Sequence, residues 1–142
     1  MGKVREILRS KGGAVFSVEP DITVYQAIEQ MCERNIGGLL IVDQGKLVGI
    51  FTERDYARKL ILKGKSSKET KISELMTSNP ITVTPLSTID ECMSIMTEKR
   101  IRHLPVVEDD KLVGVISIGD VVRQIIIDQK SIIEHLENYI TH

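Results

Sequence analysis

The sequence has 142 residues, of which 42% are hydrophobic and 27% are charged, and 19 basic against 20 acidic side chains give a net charge of -1. This composition is typical of a globular protein, and the balanced charge gives no electrostatic basis for binding nucleic acid or an anionic membrane. With 3 Tyr, 2 Phe and no Trp, the chain also lacks the aromatic side chains of a platform for single-stranded nucleic acid.

Apolar spacing and turn residues predict a strand-helix-strand-strand-helix order in the first half of the chain, after a short N-terminal helix. Thr23 is a candidate N-cap, and the Asp43-Gln44-Gly45 sequence is typical of a tight turn between two strands. The expected elements are a helix over 2–11, strands over 14–18, 38–42 and 46–51, and helices over 23–34 and 53–62.

The two cysteines stand in no metal-binding or redox spacing. Cys32 falls in an apolar stripe with Ala27, Ile28 and Met31 on the expected helix, and Cys92 lies at a position that does not correspond to it. Both are therefore predicted to be buried thiols, as expected for a protein of a reducing compartment.

The same pattern restarts 65 residues later, which makes an internal repeat the dominant feature of the chain. When residues 15–55 are laid on residues 80–120, 13 of the 41 pairs are identical, including the whole of Lys46–Gly49 and Lys111–Gly114. One such unit has too small a core to be stable alone, so we expect an α/β (α+β) fold of two β-α-β-β-α repeats packed face to face. The expected divisions are an N-terminal helix and lead-in over 1–14, a first repeat over 15–64, a linker over 65–79, a second repeat over 80–128 and a C-terminal helix over 129–142.

Each repeat contains a hydroxyl residue followed three positions later by an acid, Thr52 with Asp55 and Ser117 with Asp120. Both pairs fall where a buried strand ends and a helix begins. One interpretation is a capping box, in which the pair satisfies the first amides of the helix. The other is a ligand site, because open α/β layers bind ligands at the carboxyl ends of their strands. Duplication alone is compatible with both.

The segments Ile101–Val107 and Gly114–Asp120, with Gly49–Asp55 in the first repeat, resemble the cystathionine-β-synthase (CBS) domain family. The resemblance covers about residues 14–128, and the chain is similar to a stand-alone tandem pair, often called a Bateman module. The resemblance implies a regulatory sensor that binds an adenosine-containing ligand in the cleft between its repeats and dimerises into a flat disk.

The resemblance also implies roles for particular residues. Asp55 and Asp120 would bind ribose hydroxyls, Thr52 and Ser117 would donate to ribose or phosphate, and the basic pair before a strand would meet phosphates. Residues that lead into each repeat would border the adenine slot of the other repeat's site, and isoleucines would supply apolar walls. The candidate ligand-binding set is Lys11, Gly13, Val15, Ile36, Gly37, Thr52, Arg54, Asp55, Ser78, Ile101, Arg102, His103, Ser117, Gly119 and Asp120.

The repeats differ in a way that predicts unequal sites. The pair Arg102-His103 in the second repeat corresponds to Gly37-Gly38 in the first, and Gly119 corresponds to Arg54. We therefore expect asymmetric phosphate binding, with room for a larger ligand at the glycines.

No catalytic motif is recognisable. Gly64-Lys65-Ser66 imitates the end of a P-loop, but the glycine required five positions earlier is Lys59. The three histidines have no metal-ligand spacing. We expect no enzymatic activity, no metal and no catalytic cofactor.

The sequence thus predicts a nucleotide-binding regulatory module, sensing energy or redox state, that signals ligand occupancy to a separate partner protein. AMP or NAD are the first expected ligands, and ATP, ADP or S-adenosylmethionine are further ones. The alternative is a non-catalytic interaction or assembly module with a vestigial pocket. No apolar run approaches the roughly 20 residues of a transmembrane helix, and the polar N-terminus does not resemble a signal peptide, so we expect a cytoplasmic protein. We also expect a homodimer held by apolar helix faces containing Leu60, Ile61, Ile125, Ile126, Ile132, Ile133 and Leu136.

Overall fold

The computed structural model describes residues 2–12 and 15–141 and confirms the expected mixed α/β architecture. These residues form two compact units. The first-repeat unit comprises Val15–Ile81 and Asp109–Leu112. The second-repeat unit comprises the described residues up to 12, Thr82–Glu108 and those from Val113 onward.

The elements follow the predicted order in the first repeat, and in the second repeat apart from its first strand, with some changes of length. They are α1 (Val4–Lys11), β1 (Ser17–Val18), α2 (Val24–Arg34), β2 (Gly38–Asp43), β3 (Lys46–Thr52), α3 (Glu53–Asp55), a π-helical segment (Tyr56–Ile61), α4 (Ile72–Leu75), β4 (Thr77–Ser78), α5 (Ile89–Lys99), β5 (His103–Glu108), β6 (Lys111–Ser117) and α6 (Ile118–Thr141).

In the first-repeat unit, the four strands form one sheet in the order β1-β2-β3-β4. β1 runs parallel to β2, and the other neighbours are antiparallel. The predicted N-cap of α2 is confirmed, because the Thr23 hydroxyl accepts from the Gln26 amide at 3.1 Å while the Gln26 side chain accepts from the Thr23 amide at 2.9 Å. The sheet and helices bury Val24, Ala27, Met31, Leu39, Ile41, Phe51, Leu60, Ile72 and Leu75 in one core.

In the second-repeat unit, β5 and β6 form a two-stranded sheet, and the expected first strand of the repeat is reduced to one parallel bridge between Val83 and Val106. The Val83 amide donates to the Pro105 carbonyl at 3.0 Å, and the Val107 amide donates to the Val83 carbonyl at 2.8 Å. The ladder cannot continue toward residue 81, because Pro105 has no amide hydrogen to donate. Leu40 holds the same position in the first repeat, where a regular strand pair forms.

The short helices that precede the repeats are themselves equivalent, at an offset of 68 residues. Val4 and Ile7 of α1 are buried in the second-repeat core, as Ile72 and Leu75 of α4 are buried in the first-repeat core. Lys3 bridges to Thr88, and Lys71 bridges to Thr23 in the same antiparallel manner. α1 has eight residues and α4 has four, so the C-terminal turn of α1 has no counterpart in α4.

The burial expected for the cysteines is correct for Cys92 and wrong for Cys32, which is exposed. Residues on an α-helix are about 100° apart, and the buried face of α2 is set by Val24, Ala27 and Met31. Cys32 is displaced by about a quarter turn from the centre of that face, which leaves its side chain outside the core.

The helices that follow the two motifs also depart from expectation. After β3 the chain makes only three α-helical residues before the π-helical segment. After β6, by contrast, the helix expected to begin at residue 129 is the C-terminal half of α6, which runs without interruption from Ile118. No Gly or Pro lies between Val121 and Thr141 to end it.

Candidate functional site

Both hydroxyl-acid motifs form capping boxes at the ends of β3 and β6. In the first repeat, the Asp55 amide donates to the Thr52 hydroxyl at 3.3 Å, and Asp55 Oδ2 accepts from the Thr52 amide at 3.0 Å and hydroxyl at 3.2 Å. In the second, the Asp120 amide donates to the Ser117 hydroxyl at 3.1 Å, and Asp120 Oδ2 accepts from the Ser117 amide at 2.9 Å. The capping interpretation is therefore confirmed, and in each box one carboxylate oxygen holds the turn.

Each motif carboxylate also contacts at least one basic side chain. Asp120 Oδ2 accepts from Lys11 Nζ at 2.8 Å, and Asp120 Oδ1 accepts from Arg123 at 3.3 Å. Asp55 Oδ1 lies 3.2 Å from Lys59 Nζ. The Asp120 and Asp55 side chains are only 10% and 13% exposed, so both are acceptors at the edge of a packed unit.

The surroundings of Asp120 keep it ionised. Burial alone would raise its pKa, but the hydrogen bonds from Lys11 and Ser117 outweigh burial and hold the pKa below its usual range. A carboxylate, rather than a carboxylic acid, is therefore available at neutral pH to accept hydrogen bonds.

The residues expected to flank the motifs are joined to them through the backbone in the same way in both repeats. The Arg102 carbonyl accepts from the Ile118 amide at 2.8 Å, and the Gly37 carbonyl accepts from the Glu53 amide at 3.1 Å. Arg102 is exposed and lies just before β5, which His103 opens as a half-buried residue. The backbone thus brings the basic pair to the start of the helix that carries Asp120.

The remaining candidates are less closely associated with the carboxylates. Gly119 and Arg54 lie exposed in the first turns of α6 and α3, Ser78 is exposed at the end of β4, and Val15 is half-buried before β1. Ile36 and Ile101 are half-buried and pack against the cores of their own units. Gly13 lies outside the described residues.

The sequence pattern missed three residues that contact the motifs or their cations. Lys59 and Arg123 follow the motif acids at i+4 and i+3, a spacing that places side chains on one helical face and could have revealed them. Thr77 could not be found in this way, because it reaches the site through β4, where its hydroxyl accepts from Lys59 at 3.4 Å.

The described residues contain no cluster of three or more His, Cys, Asp and Glu side chains suited to a metal ion. Burial, with a smaller contribution from Glu91, raises the pKa of the Cys92 thiol to about 11, so this thiol is not a nucleophile at neutral pH. Within residues 2–12 and 15–141, no helix is both long and apolar enough to cross a membrane.

The duplicated motif, the strand order and the equivalent lead-in helices agree with comparisons to known proteins. The family model for the CBS domain matches residues 4–62 and again residues 72–127. The chain is 41% identical over 146 residues to the mitochondrial CBS domain-containing protein CBSX3 of Arabidopsis thaliana, covering 96% of this chain and 71% of that protein.

Two solved structures are similar along most of the chain. The CBS-domain containing protein ATU1752 from Agrobacterium tumefaciens has a TM-score of 0.82 and 39% identity, with 86% of this chain and 98% of that chain covered. The CBS domain pair of protein MJ0100, in complex with 5′-methylthioadenosine and S-adenosyl-L-methionine, has a TM-score of 0.77 and 31% identity, with 88% and 96% covered. The chain therefore belongs to the CBS-domain family and carries two copies of the domain.

Proposed function

We propose that this protein is a non-catalytic regulatory module of the cytoplasm that binds an adenosyl nucleotide at its motif aspartates and signals occupancy to a separate protein. The observation that carries the proposal is the duplicated carboxylate. Asp55 and Asp120 each lie three residues after the end of a strand, in the first turn of the next helix. Each caps that helix with one carboxylate oxygen and remains partly accessible. The adenosyl ligands of the MJ0100 pair support the same ligand class.

Ribose suits this arrangement chemically. An ionised carboxylate offers about four acceptor positions, and vicinal hydroxyls can donate to two of them together. Asp120 already accepts from Ser117, Lys11 and Arg123. Of these, Arg123 is 69% exposed and its contact is the longest, so a diol can replace it at small cost.

Phosphate recognition is assigned to Arg102 and His103 in the second repeat. A guanidinium binds phosphate oxygens in a bidentate manner, and a histidine can donate one further hydrogen bond. Gly37 and Gly38 stand at these positions in the first repeat, so the two sites are proposed to differ in phosphate affinity. AMP and NAD are the first candidate ligands, which would make the protein a sensor of energy or redox state, and ATP, ADP and S-adenosylmethionine follow.

One observation favours the alternative of an assembly module with a vestigial pocket. Both capping boxes are made entirely of protein groups, so the motif residues have a structural role of their own as helix caps. The two proposals differ in whether a nucleotide stabilises the folded chain.

We expect adenine nucleotides to raise the unfolding temperature of ligand-free protein. Free ligand at 100 times its dissociation constant adds roughly 2.7 kcal/mol of stability per site, because it binds only the folded chain. A thermal-shift panel of AMP, ADP, ATP, NAD and S-adenosylmethionine measures this effect, with inorganic phosphate at the same concentration as the control for non-specific anion binding. If none of the five shifts the transition more than phosphate does, the assembly alternative replaces the nucleotide proposal.

We further propose that the protein is a homodimer and that α6 supplies much of the interface. From residue 129 to residue 140 every residue of α6 is exposed, including apolar side chains in a helical stripe with those nearer its start. The stripe contains Val122, Ile126, Ile132, Ile133, Leu136 and Ile140. A helical arm of this length is marginally stable in water by itself, and a second copy would bury its apolar face. Leu60, which was expected in the interface, is instead 2% exposed in the first-repeat core.

The substitution Leu136→Glu should convert the dimer to a monomer, because it places a charge in the centre of the apolar stripe. Light scattering at roughly ten micromolar protein measures the mass of each variant. Ser131→Glu is the matched control, since it adds the same charge to an exposed position on the opposite face of α6. A wild-type protein that is monomeric, or a Leu136→Glu variant that remains dimeric, contradicts the proposed interface.

A further inference from the structure

A lysine ammonium links each motif carboxylate to a main-chain carbonyl. Lys11 Nζ donates to Asp120 Oδ2 at 2.8 Å and to the Val115 carbonyl at 2.9 Å. Lys59 Nζ lies 3.2 Å from Asp55 Oδ1 and donates to the Leu75 carbonyl at 3.1 Å. In both sites an ammonium is therefore held against the motif carboxylate, at the capping oxygen Oδ2 of Asp120 and at the other oxygen, Oδ1, of Asp55.

The two lysines reach this position from different parts of the fold. Lys11 lies in the C-terminal turn of α1, the turn that the shorter α4 lacks. Lys59 belongs to the π-helical segment after Asp55, and its counterpart 65 residues later is Gln124. Gln124 donates to Asp128 at 3.1 Å and to Glu6 at 3.4 Å, so it performs a different role. Equivalence of the repeats therefore does not account for an ammonium at both carboxylates.

A bound ribose changes the balance of charge at these positions. The hydroxyls of ribose are neutral, so they use acceptor positions on the carboxylate without neutralising the ammonium beside it. Lys11 and Lys59 are 39% and 36% exposed. Each ammonium can therefore contact a ligand while it keeps its hydrogen bond to a main-chain carbonyl. A ligand that also carries an anionic group can restore the ion pair that the ribose weakens, whereas a neutral or cationic ligand cannot.

We propose that Lys11 and Lys59 are specificity-determining residues that make each site select adenosyl ligands with a phosphate at the 5′ position. This inference rests on the proposed nucleotide function and narrows it to anionic ligands. It predicts higher affinity for AMP, ADP, ATP and NAD than for adenosine, 5′-methylthioadenosine and the cationic S-adenosylmethionine. It also gives the first repeat a phosphate contact, although that repeat has Gly37-Gly38 where the second has Arg102-His103.

The test is the ratio of the adenosine and AMP dissociation constants, measured by calorimetric titration of the ligand-free protein. In the double variant Lys11→Met/Lys59→Met, this ratio should fall at least about tenfold, because AMP loses a charge-assisted contact that adenosine never makes. The matched control is Arg9→Met/Arg58→Met, which removes the same charge from exposed positions of α1 and the π-helical segment. Its ratio should equal that of the wild type.

The same ratio distinguishes lysines that select the ligand from lysines that only position the motif aspartates. If the lysines only orient the aspartates, adenosine and AMP weaken together, the ratio stays at the wild-type value and the inference is overturned. If the double variant does not fold, the same ratio of dissociation constants is measured for the single variants Lys11→Met and Lys59→Met, each of which tests one site. A wild-type protein that binds neither ligand overturns the nucleotide function itself, whereas normal binding with an unchanged ratio in the variants overturns only the role of the lysines.

Discussion

Replacing Asp120 with alanine should weaken AMP binding at the second-repeat site by at least about a hundredfold. The carboxylate would lose two charge-assisted hydrogen bonds to the ribose, each worth about 1.5–3 kcal/mol. The same substitution removes one half of a capping box, which costs only about 0.5–2 kcal/mol of folding stability. Calorimetric titration measures the first effect, and urea denaturation measures the second.

The chain provides a matched control for the structural part of this effect. Gln26 holds the same position in the capping box of α2 as Asp120 holds in its own box, and it is not part of a motif. Gln26→Ala should therefore reproduce the loss of stability without the loss of affinity. In the wild type, 2′-deoxy-AMP should bind more weakly than AMP, and Asp120→Ala should remove that preference at its site. Asp120→Ala with normal AMP affinity and reduced stability would show that the motif is only a helix cap.

Phe51→Ala should lower the free energy of unfolding by about 3–5 kcal/mol, because it removes the largest fully buried side chain of the first-repeat core. Phe51 lies directly before Thr52, so its packing also fixes the end of β3 on which the Asp55 site is built. Chemical denaturation measures the change. Leu62→Ala is the control, since Leu62 is 79% exposed and its truncation should cost little. A Phe51→Ala variant within 1 kcal/mol of the wild type contradicts the assignment of this core.

The repeat made most of the fold predictable. Because the two copies place apolar residues at the same positions, each copy supports the assignment of the other. Met31 and Met96, and Leu39 and Leu104, are equivalent in sequence and are buried in corresponding cores. The motif hydroxyl residues also lie at the predicted strand ends, with the acids in the first turn of the next helix, since an apolar run that ends in a hydroxyl residue defines that point well.

The differences between the predicted and the observed fold have local causes that the repeat pattern does not show. Pro105 lacks an amide hydrogen, so the second repeat cannot form the strand pair of the first, although the two sequences are similar around it. The offset of the lead-in helices is 68 rather than 65 residues, and an alignment without gaps therefore hides the equivalence of Val4 with Ile72. Cys32 was misplaced because its apolar character was given more weight than its angle on α2.

The site could be predicted where its contacts join residues that are close in sequence, and less well where they join residues that are far apart in sequence. Ser117 and Asp120 are three residues apart, and their geometry follows from the start of a helix. Lys11 was predicted near Asp120 from the family resemblance, yet its direct ion pair depends on the extra turn of α1, 109 residues away in sequence. Lys59 was assigned only to a failed P-loop motif, although its i+4 spacing from Asp55 could have revealed their contact.

The most direct test is calorimetric titration of the ligand-free double variant Asp55→Ala/Asp120→Ala, with wild type alongside, using the ligand of the thermal-shift panel that stabilises the wild type most. If the duplicated carboxylates hold the ribose, the wild type binds and the double variant shows no saturable heat over the same concentrations, while circular dichroism still reports a folded α/β protein. A folded double variant that binds this ligand with wild-type affinity would contradict the account, because the two aspartates would then act only as helix caps.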